Sequence, residues 1–292
     1  MTNEKKKTDK YEGIRLSASS INTFRKCPRE FYYNYVLRLP QEPSIHLIKG
    51  NVVHSCLEKF FGRYEKDMKK KMFDLLDKEW AEKKPELDAL KMAPELEELE
   101  KGDCYNMLDI YLRGFQTKLE YYLYAGKAKD LGHAYNLLKP KFREKFYKSA
   151  TFNLCGFVDR INKDFDNTVT IADYKTSNRY GVGLKYDYLL QCGIYALLYK
   201  ENEGQLPDFT SVIFLRFGEE IITRVTPGLI SDTIDVVKDT DAKTKSDKIE
   251  DYPKKEQKLC RWCSHFDKCA GIEEFKSDKR VEKMIANVKV KK

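Results

Sequence analysis

The 292-residue chain has no run of about 18 apolar residues, the length a membrane-crossing helix requires. Its start, Met1-Thr-Asn-Glu-Lys-Lys-Lys-Thr, lacks the apolar segment of a secretory leader, so a cytosolic (cytoplasmic) setting is expected. There is no Gly-x4-Gly-Lys-Ser/Thr loop to cradle a nucleotide, and ATP-driven work would fall to a partner. No internal repeat is visible, which sets aside solenoids and propellers. Charge is nearly balanced: 54 Lys and Arg against 46 Asp and Glu leave a net +8, a mild bias toward polyanionic partners.

What is present describes a soluble globular protein. Hydrophobic residues make up 41% and charged residues 34%, enough for a substantial core under a heavily charged surface. Eight cysteines in a reducing compartment are expected to stay unpaired, so clustered ones deserve a metal reading.

Residues 1–13 are charged, lack periodicity and read as a disordered tail. Leu16-Ser-Ala-Ser-Ser-Ile-Asn offers serine caps to one amphipathic helix carrying Ile21, Phe24, Phe31 and Tyr35, and ending before Pro40 and Pro43. Gly50 is expected to open a second helix through Phe61. Residues 65–135 alternate charged and apolar positions at helical spacing, with breaks near Pro85 and Pro94, and read as a helical insertion. From 141 the period shortens, giving strands around 141–147, 152–159 and 168–175, a helix over 186–201, strands at 210–217 and 220–225, and a helix from 228. These elements interleave too closely to be cut apart, so 14–275 reads as one α/β domain. A basic tail follows over 276–292, with Lys276, Lys279, Arg280, Lys283, Lys289, Lys291 and Lys292 suited equally to phosphates or to solubility.

Two carboxylates and a lysine carry the first chemical signal. Asp159 ends Gly156-Phe-Val-Asp159, and Asp173 and Lys175 stand two apart on one predicted strand, hence on one face. Asp oxygens suit Mg2+ or Mn2+, and phosphodiester hydrolysis needs such a cation to polarise the phosphoryl group and acidify water. A neighbouring lysine can position or deprotonate that water and offset the developing charge. Alone, Asp-x-Lys is a common surface pair. His54 adds an imidazole inside an apolar helix, where it costs more than it contributes unless bonded. Gln191 and Tyr195, four apart, share one helix face.

In this order Gly50-x-x-x-His54, Gly156-x-x-Asp159, Asp173-Tyr174-Lys175-Thr176 and Gln191-x-x-x-Tyr195 resemble the RecB-type branch of the PD-(D/E)XK nuclease superfamily. The likeness covers roughly 14–62 and 140–272. It implies a restriction-endonuclease-like core, a mixed central sheet flanked by helices, behind an N-terminal helical region. It further implies that His54, Asp159, Asp173 and the Tyr174 backbone carbonyl hold Mg2+ or Mn2+, that Lys175 is the catalytic lysine, and that Gln191 and Tyr195 orient the site or touch DNA. Val158 stands where the name-giving proline would be. Glu144, on the preceding strand, is weighed as a further acidic group and placed below a solvated strand position.

Cys27 and Cys260-x-x-Cys263-x5-Cys269 form the second constellation, and their spacing admits zinc or an iron–sulfur cluster. The resemblance implies a [4Fe–4S] cluster, as in the CRISPR-associated adaptation nuclease and the AddB nuclease domain, with the last three ligands in a loop over 256–272. His265 is an unneeded substitute ligand. Cys56, Cys104, Cys155 and Cys192 lack mutual spacing and read as buried hydrophobes.

The function expected from this set is a DNA exonuclease in recombination, repair, phage replication or CRISPR adaptation, working with a helicase or a recombination or adaptation partner. A site that reads metal and phosphate should select strand geometry over base sequence, hence single-stranded or frayed ends. Competing readings are a non-catalytic DNA-binding scaffold and a zinc-stabilised single-strand binder. Retention of His54, Asp159, Asp173 and Lys175 together disfavours the scaffold.

Overall fold

The structure, a computed structural model, describes residues 13–177, 185–258 and 260–270. Apart from Gly13, the expected tail 1–13 lies outside these residues, as does the basic tail 276–292. The chain divides into two compact units. One comprises Met1–Glu42, Thr151–Leu154 and Ile234–Lys292, the other Pro43–Ala150 and Cys155–Thr233.

The second unit is built on a five-stranded mixed sheet: β1 (Phe142–Lys148), β2 (Cys155–Lys163), β3 (Val169–Lys175), β4 (Phe209–Phe214) and β5 (Glu219–Arg224), in that spatial order. β3 and β4 are parallel and the other neighbours antiparallel. A parallel pair needs a crossover, supplied by a helix over Tyr186–Glu203. Five helices precede the sheet here: Ile45–Phe60, Met68–Glu82, Lys84–Ala89, Pro94–Tyr124 and Leu131–Leu138. Adding Ala18–Lys26 and Pro28–Phe31 in the first unit, they are numbered α1 to α7 in chain order, and the crossover is α8. Pro85 and Pro94 fall in the first turns of α5 and α6, where the missing N–H costs nothing.

Both sheet faces are covered. Ala172, Tyr174, Ile213 and Leu215 join one apolar core with Val53, Leu57, Leu76, Leu108 and Phe115 of the helices. On the other face Val212 and Phe214 pack with Cys192 and Tyr188 of α8. Residues on both sides of β3 are therefore buried, as a central strand demands. α3 begins at Ile45 rather than at Gly50, because Ile45 and Ile48 already supply apolar contacts five and two residues earlier. Among the described residues no helix is long and apolar enough to cross a membrane.

In the first unit α1 starts with a capping box, Ser17 accepting from Ser20 N (3.2 Å) while Ser20 Oγ accepts from Ser17 N (2.7 Å). The single helix expected from Ile21 to Tyr35 is split at Cys27. Pro28 excludes the helical conformation from the residue before it, and Cys27 is extended, with φ −154° and ψ 107°. A π-helical turn over Tyr32–Val36 follows α2. Residues 152–154, expected to open the strand 152–159, belong with Thr151 to this unit instead, where Leu154 bridges Leu16. Here Phe31 stacks on Tyr252 at 5.9 Å, and Arg29 donates to the Tyr252 carbonyl at 2.8 Å.

Candidate active site

The site forms where the β1–β2 ladder is interrupted. Cross-strand pairs run Phe142–Ile161 and Arg143–Arg160, skip Glu144 and Asp159, and resume at Lys145–Val158 without a change of register. Glu144 at the gap has φ +43°, a left-handed conformation that costs a non-glycine residue on the order of 1–3 kcal/mol. Nor is Asp159 in the β2–β3 ladder, which begins at Arg160–Ala172. Its carboxylate Oδ2 instead accepts from the backbone N–H of Tyr174 at 2.8 Å.

His54 arrives from α3. Its Nε2 is 3.1 Å from the Tyr174 carbonyl, which can only accept, so Nε2 carries the proton. Nδ1 then faces Asp159 Oδ2 at 3.4 Å and Glu144 Oε1 at 3.8 Å. From β3, Asp173 Oδ1 accepts from Gln191 Nε2 at 2.7 Å, and Lys175 Nζ lies 2.6 Å from Asp173 Oδ2 and donates to Gln191 Oε1 at 2.9 Å. Gln191 Nε2 also lies 2.8 Å from the Tyr195 hydroxyl. Thus α8 reads the Asp-x-Lys pair through one amide. The turn of helix bearing it sits close to its neighbours: a Cβ on Gly193 would lie 2.0 Å from Thr233 Oγ1, and one on Gly156 would press Leu198 and Tyr195 at 3.4 and 3.5 Å.

All six side chains expected at the site converge. The Tyr174 carbonyl is also present, engaged by His54. Glu144, given the lowest weight from sequence, stands with them. Its left-handed backbone and the ladder gap opposite Asp159 leave no trace in strand alternation.

The electrostatics are those of a site short of positive charge. Burial, then the neighbouring Asp173 carboxylate, push Asp159 up to about 7, with His54 opposing. Burial disfavours the His54 imidazolium, but Glu144, Asp159 and Asp173 outweigh it and raise its pKa. Burial likewise opposes the Lys175 ammonium, and Asp173 and Asp159 hold it above the ordinary lysine value. Asp173 Oδ2 is buried, and its polar contact is the Lys175 ammonium at 2.6 Å. Ligand atoms of His54, Glu144 and Asp159 lie within 4.8 Å of one another. Hard carboxylate oxygens and one imidazole fit a divalent cation, which would relieve the repulsion among the carboxylates.

The cysteines of the first unit form a separate group. Cys27, Cys260, Cys263 and Cys269 line one small cavity, beside Arg29 and Lys254. All four are free thiols. Burial pushes Cys263 up to about 11 and raises Cys260 and Cys269, and the other sulfurs add repulsion. His265 is buried and its Nε2 donates to Asn34 Oδ1 at 2.6 Å, so that nitrogen is committed elsewhere. Cys56, Cys104 and Cys192 are buried and Cys155 is partly so.

No curated protein matches the sequence. Among solved structures, the crystal structure of a "Putative exonuclease" from Eubacterium rectale shares the fold, with a TM-score of 0.52 and 15% identity over 91% of this chain and 93% of that one. A family model described as the PD-(D/E)XK nuclease superfamily matches residues 15–270. That span contains the acidic site and the four cysteines alike, and the chain belongs to the PD-(D/E)XK nuclease superfamily.

Proposed function

We propose that the protein is a Mg2+- or Mn2+-dependent deoxyribonuclease of the RecB type, an exonuclease that takes single-stranded or frayed ends. The observation that carries this reading is that Lys175 Nζ pairs with Asp173 at 2.6 Å while Asp159 bonds the backbone of Tyr174, the residue between them. His54, Asp159 and Asp173 would hold the cation, with Glu144 beside them and the Tyr174 carbonyl in reach. The cation would polarise a phosphoryl oxygen and lower the pKa of a water. Lys175, held protonated, would orient that water and offset charge developing on the phosphate. Gln191 fixes the lysine and Asp173 relative to each other, and Tyr195 fixes Gln191.

The cysteine group is proposed to hold a [4Fe–4S] cluster. The resemblance favours a cluster over zinc, and the Arg29 and Lys254 cations that line the same cavity would complement its negative charge. By joining Cys27 to Cys260, Cys263 and Cys269 it would cross-link distant parts of the chain.

End-labelled single-stranded and duplex DNA incubated with Mn2+ tests the activity, and a closed single-stranded circle beside its linear form tests the need for an end. The linear strand is expected to disappear first. Equal loss of the circle would establish internal cutting and remove the exonuclease reading. A helicase, recombination or adaptation partner remains part of the proposal on the resemblance alone.

A further inference from the structure

The residues on either side of Lys175 are both tied to α6, the longest helix of the 65–135 stretch. On one side, the Tyr174 hydroxyl lies 3.2 Å from that of Tyr111, whose oxygen accepts from Arg160 NH1 at 2.9 Å. Arg160 is buried and has no carboxylate within 4.0 Å among the described ion pairs. Its guanidinium donates to Asn162 Oδ1 at 2.9 Å and lies over the Phe61 ring at 5.6 Å. Because Arg160 donates to Tyr111, the Tyr111 proton is free for Tyr174.

On the other side, Arg216 Nε donates to the Thr176 carbonyl at 2.9 Å, and its two terminal nitrogens grip both oxygens of Asp103. Asp103 also accepts from Lys49 of α3 at 2.6 Å, and Lys49 pairs with Glu100. Between the two, the Lys175 carbonyl accepts from Leu215 N at 3.0 Å. Lys49 is buried and Glu100, Asp103 and Arg216 are partly buried, so these ions form a mutually paired network at the edge of the core. The open cavity alongside, about 990 Å3, is lined by Glu95, Glu98, Glu100 and Asp103, with its Lys49 and Arg216 already paired. Among the described lining residues Lys49 and Arg216 are both paired with carboxylates, so this acidic wall is poorly suited to phosphate.

We propose that α6 positions the catalytic lysine. Asp103 through Arg216 and Thr176, and Tyr111 through Tyr174, clamp β3 on both sides of Lys175. The same Tyr174 backbone bonds Asp159 and His54, so one clamp sets lysine and metal ligands together. This rests on the nuclease reading above. Tyr111, Asp103 and Arg216 are positioning residues, since none touches the reacting atoms.

The test compares Tyr111→Phe, Asp103→Asn, Arg216→Gln and Arg216→Lys in the full chain, at a temperature where melting curves show each folded. On linear DNA with Mn2+, Tyr111→Phe and Arg216→Gln should lower kcat about ten- to a hundredfold with KM nearly unchanged, because a misplacement of about 1 Å is costly. Arg216→Lys should recover part of the loss. The Asp103→Asn/Arg216→Gln double variant should be no worse than the weaker single, since both break one clamp. Amide hydrogen exchange over 171–177 reads the clamp whether or not the protein cuts, and should rise in Tyr111→Phe while exchange in β1 stays as in the parent. Unchanged exchange over 171–177 in folded Tyr111→Phe would overturn the proposal. So would an unchanged kcat, or a loss confined to KM, in a parent that cuts. A parent that cuts nothing, yet shows the exchange change, would remove the nuclease reading and leave the clamp standing.

Discussion

The acidic site and the cysteine group gather their residues by different means. In the acidic site hydrogen bonds hold most of the polar side chains: the Gln191 amide bonds Asp173 and Lys175, the Tyr174 backbone bonds Asp159 and His54, and Glu144 sits in a left-handed kink. The four cysteines make no such set of bonds with one another. Their positions are set by the surrounding chain, through the Pro28 break at Cys27 and the aromatic packing of Phe31 on Tyr252. A site built from mutual bonds is preorganised for chemistry, whereas one set by chain packing depends on its occupant for stability. Substitutions in the two groups should therefore fail in different ways.

The largest effect belongs to the acidic site. Asp159→Ala, Asp173→Ala and Lys175→Ala should each lower the cleavage rate by about a thousandfold or more, with DNA binding retained, because each removes part of the proposed water-activating apparatus. Rates of end-labelled strand loss and a parallel binding isotherm check this. Loss of binding with cleavage per bound strand intact would blur the contrast between the regions.

For the cysteines the main readout is stability. Protein purified without oxygen should be brown with about four irons per chain, and Cys27→Ser or Cys263→Ser should bleach it and lower Tm by about 5–15 °C. One zinc per chain and no visible absorption would replace the cluster with a zinc site.

A smaller, graded effect follows from Asp159. Its folded pKa, about 7, lies above the unfolded value near 4. Between these values the folded state keeps a proton the unfolded state has lost. The stability contribution of this group in metal-free protein is therefore full below about pH 4 and lost as pH rises through about 7. A divalent cation competes with that proton and with the one on His54, whose pKa is also raised, so Mn2+ affinity should rise by at least about tenfold per unit between about pH 5 and 7. Titration calorimetry across that range decides it. Glu144→Gln should weaken Mn2+ binding by roughly tenfold, less than loss of Asp159.

How much of this was legible in sequence depended on whether a residue signals through spacing or through backbone shape. Asp173 and Lys175 stand two apart on a strand, and Gln191 and Tyr195 four apart on a helix, so periodicity alone brings each pair to one face. His54 stood out as an imidazole in an apolar helix. Glu144 stood out only weakly, because strand alternation does not show the positive φ and the ladder gap that place it at the site. Lys49, Asp103 and Arg216 were invisible for another reason: they are scattered over 167 positions and look like solvated charge until the fold pairs them. The early start of α3 and the split at Cys27 show tertiary contacts and a proline each overriding a local pattern.

The central claim is that cleavage needs a divalent cation held beside Asp173. The direct measurement is strand loss on linear single-stranded DNA by protein stripped with a chelator and then given Mn2+, in parent and Asp173→Asn. The account predicts no cutting after stripping, full recovery in the parent on adding Mn2+, and none in the variant. Cutting that survives the chelator, or equal recovery in Asp173→Asn, would contradict it.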